Sequence, residues 1–329
     1  MLTRLIAVED VSAVGYARRQ AQALAAEHGF DETDAGRVAL LTTELASNLL
    51  KHAGRGELQL RVLPAVGGLG LEILSIDSGA GFDAARCLRD GYSTGGTQGI
   101  GLGALARLAD CFDLYSDARG SAVLAQLYPK GVTRLPWRFG ACQRSMAGDP
   151  ACGDAWEMAF EDGRCSVLVV DGLGHGELAE QAARAGARAF AAAPFEDPAL
   201  LMQRLHRAMS GSRGGAALAA QYDQTRGELA FAGIGNISAR LLGEPGRGLA
   251  SHPGILGVQF RKAQGFAYPV TAPSLLVLHS DGLQTRWQLS DYPGLQQRHP
   301  ALLTAVLQRD YCRGRDDVTV VVIALEGPQ

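Results

Sequence analysis

The stretch Cys165–Ala183, CSVLVVDGLGHGELAEQAA, decides how the second half of the chain folds. Residues 166–170, SVLVV, form an apolar, β-branched run of the kind that makes a buried strand. The run stops at Asp171, and DGLGHG (171–176) sets a lone carboxylate and a histidine among three glycines before a helix-forming segment begins. Asp171 therefore sits at the C-terminal mouth of a strand. A glycine directly after it lets a carbonyl or a water approach an ion closely, and such oxygen donors suit magnesium or manganese. A single Asp-Gly pair at a strand end is also an ordinary turn signal, so the pattern has to recur before it means more.

It recurs three times. Asp154 in CGDAW opens a strand, Asp281 in LHSDG ends one, and Asp316 with Asp317 in GRDDVTVVV starts the last. Two unit charges about 4 Å apart repel by roughly 4 kcal/mol at an effective dielectric near 20, so several carboxylates converge only with cations between them. Convergence of these positions would imply metal.

Strands are expected at RFGACQRS, DAWEMAFED, RCSVLVVD, GAALAAQYD, GELAFAGIG, NISARLL, SLLVLHSD and DVTVVVIAL, with helices at GELAEQAARAGARAFAA and DPALLMQRLHRAMS. The first half reads differently. VSAVGYARRQAQALAAEHG and TDAGRVALLTTELASNLLKHAG are amphipathic helices, the second closed by Gly54. GELQLRVL and GLGLEILSID follow as paired strands, GYSTGGTQGIGLG leads into a short helix LGALARLAD, and CFDLYSD and SAVLAQLYP complete an α+β unit. KGVTRLPW is basic and carries Gly and Pro, which places a domain at 1–130, a linker at 131–136 and a second domain at 137–329.

The 329 residues suffice for two domains, and a formal charge of only −3, without a basic run interleaved with aromatics, argues against nucleic acid as a partner. Six cysteines form no C-x-x-C pair, the opening MLTRLIAVED lacks a signal-peptide core, and the apolar runs are short of a membrane span. A cytoplasmic protein with reduced thiols and no membrane partner is expected.

In TTELASNLLKHAG, Glu44 and Asn48 are four apart and share a helix face, with His52 one turn further. Alone, that is a polar surface. Asp77 ends an apolar strand in SIDSGAGF, and TQGIGLG sets Gly99, Gly101 and Gly103 against a helix N-terminus, where free amides favour phosphate. The dinucleotide-fold and Walker-lysine patterns are absent.

The order CGDAW, VVDGLGHG, HSDGL, RDDVTVVV resembles the metal-dependent PPM-type serine/threonine phosphatases, in particular the SpoIIE/RsbX branch, across residues 138–325. That resemblance implies a PPM-type αββα sandwich. It also implies two manganese or magnesium ions held by Asp154, Asp171, Asp281 and Asp316 with the Gly172 carbonyl, Asp317 being the lesser member of its pair. The implied chemistry is hydrolysis of phosphoserine or phosphothreonine by a metal-bridging water. His175 reads as structural at a helix start. The phosphate-binding arginine of the eukaryotic members has no counterpart in these motifs.

ELASNLLKHA, DSGAG and GIGLG together resemble the GHKL (Bergerat-fold) ATPases over residues 10–128, most of all the anti-sigma factor kinases and RsbT-type switch kinases. The resemblance implies an α/β sandwich that binds ATP. Asn48 would hold magnesium, Asp77 would accept from the adenine amino group, and Gly79 and Gly81 would let the backbone approach the base. Gly99, Gly101 and Gly103 would wrap the phosphates, Ser121 would lie near the adenine, Gly91–Gln98 would form a lid, and Glu44 would take the proton of the attacking serine. Opposed kinase and phosphatase activities on a STAS-domain antagonist or stressosome-type protein are then expected. The alternative is a non-catalytic ATP-binding module, sequestering a sigma factor or signalling protein or sensing ATP, attached to an active phosphatase.

Overall fold

The structure, a computed structural model, describes residues 3–87, 101–146, 149–244 and 246–327. They form two compact units. The first comprises Met1–Pro136 with Gln288–Arg309, the second Trp137–Trp287 with Asp310–Gln329.

Unit 1 runs β1 (Thr3–Val8), α1 (Val11–Glu27), α2 (Glu32–Asn48), β2 (Gly56–Val66), β3 (Gly68–Ile76), α3 (Ala84–Cys87), α4 (Leu102–Leu108), β4 (Cys111–Asp117), β5 (Gly120–Leu127) and β6 (Thr133–Arg134). The sheet order is β1-β2-β3-β5-β4, with β6 added to β2. Asp10 starts α1 by accepting from the Ser12 and Ala13 amides, and Asp31 starts α2 by accepting from Asp34 N, each meeting donors that a helix leaves unpaired. Ala17, Ala21 and Leu24 of α1 and Leu41 and Leu45 of α2 pack on Leu58, Leu60, Leu71, Ile73, Val123 and Ala125 of the sheet. Strand alternation sends Arg61, Glu72, Leu74, Leu124 and Gln126 to the opposite face, and these are buried too.

Gln288–Arg309 packs against β4 on this same face. Arg298 Nη1 donates to Asp113 Oδ1 at 3.2 Å and His299 N to Asp113 Oδ2 at 2.7 Å. Tyr292 meets Tyr115 with centroids 6.5 Å apart and lies under the Arg119 guanidinium at 3.8 Å. The sequence places these residues in the second domain; in the fold they belong with the first.

Unit 2 contains β7 (Phe139–Arg144), β8 (Asp154–Glu161), β9 (Arg164–Gly172), α5 (Glu177–Ala191), α6 (Pro198–Met209), β10 (Gly215–Asp223), β11 (Glu228–Ile234), β12 (Ser238–Leu242), β13 (Arg247–Leu249), β14 (Phe266–Pro269), β15 (Ser274–His279) and β16 (Val318–Leu325). Helix α7 (Pro300–Tyr311) precedes β16 in the chain, and its residues up to Arg309 belong to unit 1. Two five-stranded antiparallel sheets result, β14-β11-β10-β9-β8 and β13-β12-β15-β16-β7. Phe139 of one meets Phe160 of the other, ring centroids 5.5 Å apart. Helices α5 and α6 cover the first sheet through Ala182, Ala183, Phe190, Leu201, Leu205 and Met209 against Leu168, Val170, Ala217 and Ala219.

The short edge strands β1, β6, β13 and β14 and helix α7 were not anticipated. PALLTAVLQRDY lacks a polar stripe because Pro300 through Gln308 are all buried, so the helical period is invisible in it. Among the described residues no helix is long and apolar enough to cross a membrane. All six cysteines are free.

Candidate functional site

In unit 1, α2 carries half-buried Glu44 and Asn48 and passes directly into a π-helical turn, Leu49–Ala53, that ends at Gly54 with φ 77°. Such turns recur at functional sites because they re-aim side chains on an otherwise regular helix. Asp77 follows β3. Its Oδ1 accepts from Gly79 N at 2.8 Å and Ser121 N at 3.2 Å, while Oδ2 accepts from the Ser121 hydroxyl. The carboxylate is thus clamped between the end of β3 and the start of β5.

Gly79 lies against the end of the π turn, since a Cβ there would meet Ala53 Cβ at 3.0 Å. Gly81 has φ 70° and a Cβ on it would stand 2.0 Å from Asp117 O, so only glycine fits. The end of the π turn that follows Asn48, the Asp77 loop and Ser121 are therefore brought to one place. Gly101 caps α4 at its N-terminal end and Gly103 is buried in its first turn. Gly99 and the expected lid, Gly91–Gln98, lie outside the described residues. Arg309 was not singled out in the sequence, yet its Nη1 donates to Asp77 O at 3.3 Å and its Nη2 lies 3.8 Å from Asp117 Oδ1.

In unit 2 the acidic positions converge on one end of both sheets. Asp154 and Asp171 are direct partners in the β8–β9 ladder. Asp281 lies two residues past the end of β15, and Asp316 and Asp317 lead into β16, its neighbour. The two sheets are tied here by Ser280, whose hydroxyl donates to Asp154 Oδ2 at 2.6 Å and accepts from Thr319 N at 2.9 Å.

Burial raises the Asp154 carboxyl to about 7, against the pull of Ser280. Burial, and then the charges of Asp154, Asp281, Asp316 and Asp317, raise Asp171 to about 8. Asp281 is raised by burial and by Asp316, while Arg313 and an Asn236 Nδ2 bond of 2.8 Å oppose the rise. Like charges gathered in a half-dry site are what a cation would relieve.

Asp317 has a different environment: its oxygens accept from Met146 N at 2.7 Å and Gly153 N at 2.6 Å, which fixes the loop before β8. Asp316 Oδ1 accepts from Asp317 N at 3.0 Å. Gly172 is obligatory where it stands, because a Cβ would meet Ala179 O at 2.2 Å. His175 is mainly exposed and stands 3.5 Å from Asp149 Oδ2.

Among the described residues no three His, Cys, Asp or Glu side chains form a ready-made metal cage. The donor set still fits magnesium or manganese, hard ions that keep several waters and use few direct carboxylates. Sequence reasoning passed over Ser280 and Asn236, whose roles come from partners remote in the chain.

Residues 161–326, about half of the chain, match the family described as Stage II sporulation protein E (SpoIIE). The chain belongs to the SpoIIE family. Residues 8–127 match the histidine kinase-like ATPase domain, so this SpoIIE-family protein carries a GHKL-type domain ahead of its phosphatase domain. The serine/threonine-protein kinase RsbT of Bacillus subtilis is 37% identical over 103 residues, 31% of this chain and 77% of RsbT. The phosphoserine phosphatase RsbX of the same organism is 26% identical over 143 residues, 43% of this chain and 72% of RsbX. A solved structure of RsbX in complex with magnesium superposes with TM-score 0.53 at 22% identity, covering 59% of this chain and 98% of that one. A structure from work on the bacterial stressosome as a modular system superposes with TM-score 0.54 at 27% identity, covering 57% of this chain and all of that one.

Proposed function

We propose that this chain sets the phosphorylation level of a STAS-domain partner, an anti-sigma factor antagonist or stressosome-type protein, by phosphorylating a serine with unit 1 and removing the phosphate with unit 2. The observation that carries the reading is that one chain holds both constellations: Asp77 clamped by Gly79 and Ser121 against the turn that follows Asn48, and the aspartates gathered around Asp171.

In unit 1, Asp77 receives the adenine amino group, with Ser121 holding its carboxylate. Gly79 and Gly81 would admit the base, Asn48 would hold the magnesium of the nucleotide, and Gly101 and Gly103 would line the phosphates. Glu44 takes the proton of the attacking serine hydroxyl. Phosphoryl transfer asks mainly for such positioning and charge neutralisation.

In unit 2, Asp154, Asp171, Asp281 and Asp316, with the Gly172 carbonyl, would hold two manganese or magnesium ions. Metal there supplies charge neutralisation at the phosphate and activation of water. Ser280 and Asn236 fix the orientations of Asp154 and Asp281, and Asp317 holds the loop before β8 in register. His175 and Asp149 stand outside the set.

The test incubates the purified chain with candidate STAS proteins, ATP and magnesium or manganese, following phosphoserine by mass spectrometry beside Glu44→Ala and Asp171→Ala. Phosphate should accumulate when Asp171 is replaced and be absent when Glu44 is replaced. If no variant phosphorylates any partner, unit 1 is a nucleotide-dependent binding module; if phospho-STAS survives the wild-type chain with either metal, the phosphatase reading falls.

A further inference from the structure

The turn between α6 and β10 presents an arginine against the DGLGHG turn that follows β9. Ser212 fixes this turn, donating from its N–H and hydroxyl to Met209 O at 3.1 and 2.6 Å and accepting from Gly214 N at 3.0 Å. On the other side Gly214 O accepts from Leu173 N at 2.9 Å, and Gly215 exchanges bonds of 3.0 and 2.8 Å with Leu256. Arg213 is therefore anchored at both flanks, close in sequence to Ala216, the ladder partner of Asp171.

Its guanidinium lies over the DGLGHG turn: a methyl group on Gly174 would stand 3.0 Å from Arg213 Nη1. Arg213 is exposed, and among the described residues no carboxylate or carbonyl pairs with it. Arg313, by contrast, already offsets the charge of Asp281. An unpaired cation on a hydrogen-bonded turn, lying against the loop that leads out of Asp171, is placed for an anionic ligand, not for internal neutralisation.

We propose that Arg213 binds the phosphoryl group of a phosphoserine or phosphothreonine segment of a protein substrate, an inference that rests on the phosphatase reading of unit 2 and names how its substrate is held. A planar guanidinium matches two phosphate oxygens at once, and a preformed turn loses little freedom on binding. The surroundings favour a polypeptide over a small phosphate ester. Leu173 and Val258 are 52% and 60% exposed, and Val258 Cγ2 lies 2.9 Å from the position of a Cβ on Gly214. Two apolar side chains thus border the arginine and offer contact to residues flanking the phosphate.

The experiment compares wild type, Arg213→Ala, Arg213→Lys, Val258→Ser and Asp171→Ala, all full chains assayed in the same excess of manganese, on p-nitrophenyl phosphate and on a phosphoserine peptide, with inorganic phosphate as inhibitor. Arg213→Ala should raise KM for both substrates and the inhibition constant of phosphate about tenfold or more, as loss of a charged hydrogen bond does, with kcat held within about twofold. Arg213→Lys should recover part of the loss, Val258→Ser should raise KM for the peptide alone, and thermal midpoints and manganese titrations should stay at wild-type values. Unchanged KM and phosphate inhibition in Arg213→Ala, with an active wild type, overturn this inference alone. A wild type as inactive as Asp171→Ala on every substrate removes the phosphatase reading and the inference with it.

Discussion

Asp171 shows how a strand-end residue acquires chemistry from its neighbours. Its carboxyl and that of Asp154 stand at about 8 and about 7 in the fold against an ordinary 3.8, burial being the first cause for both. The folded chain therefore holds protons that the unfolded chain has released. In metal-free protein that contribution to stability is fully present below the ordinary carboxyl range and is lost as pH rises through about 7 to 8. Divalent metal substitutes for the protons, so urea midpoints measured without metal should fall between about pH 5.5 and pH 8, and manganese should flatten the slope and release protons on binding. Metal-free midpoints that climb over that interval would contradict the electrostatic account. The acidic positions themselves were legible because each follows or precedes a strong apolar run. Ser280 and Asn236 were not, since a serine or asparagine beside Asp or Gly has no distinctive pattern until its partner arrives from another strand.

At the scale of elements, the sheet of unit 1 shows what strand alternation hides. Arg61, Glu72 and Gln126 are successive neighbours across β2, β3 and β5. Arg61 Nη2 meets Glu72 Oε1 at 2.5 Å, and Gln126 Nε2 donates to Glu72 Oε2 at 2.9 Å. In sequence these residues read as the solvent side of alternating strands, yet all three are buried. Removing Glu72 breaks a buried ion pair and takes the acceptor from Gln126 Nε2, so Glu72→Ala should cost about 3–5 kcal/mol in urea unfolding of unit 1. A change below about 1 kcal/mol, the range of an exposed pair, would mean that the face is hydrated in solution. Helix α7 is the complementary case: being buried all round, it has no polar face to announce it.

For the whole molecule, the informative feature is Gln288–Arg309, a segment between Asp281 and Asp316 in sequence that folds as part of unit 1. It gives β4 its partners at Asp113, Tyr115 and Asp117, and it places Arg309 on Asp77 O. A chain ended at Pro136 lacks these contacts, leaving Asp113, Tyr115 and Asp117 of β4 without their partners from the segment. Such a fragment should aggregate or melt well below the full chain in circular dichroism and bind ATP weakly, although the ATPase-domain match ends at residue 127. A truncated chain as stable and as competent for nucleotide as the full one would show that the segment is dispensable.

Legible in the sequence were the two families, the long helices of each half except α7, the central strands, and the acidic and glycine motifs, because these rest on local periodicity and on residue types that few other chemistries need. The tertiary structure alone decided that Gln288–Arg309 joins the first unit, that Arg61 and Glu72 are buried, and that Ser280 bridges the sheets to Asp154. Each depends on contacts between residues far apart in the chain, and burial of a polar face or an apolar helix is a property of what covers it.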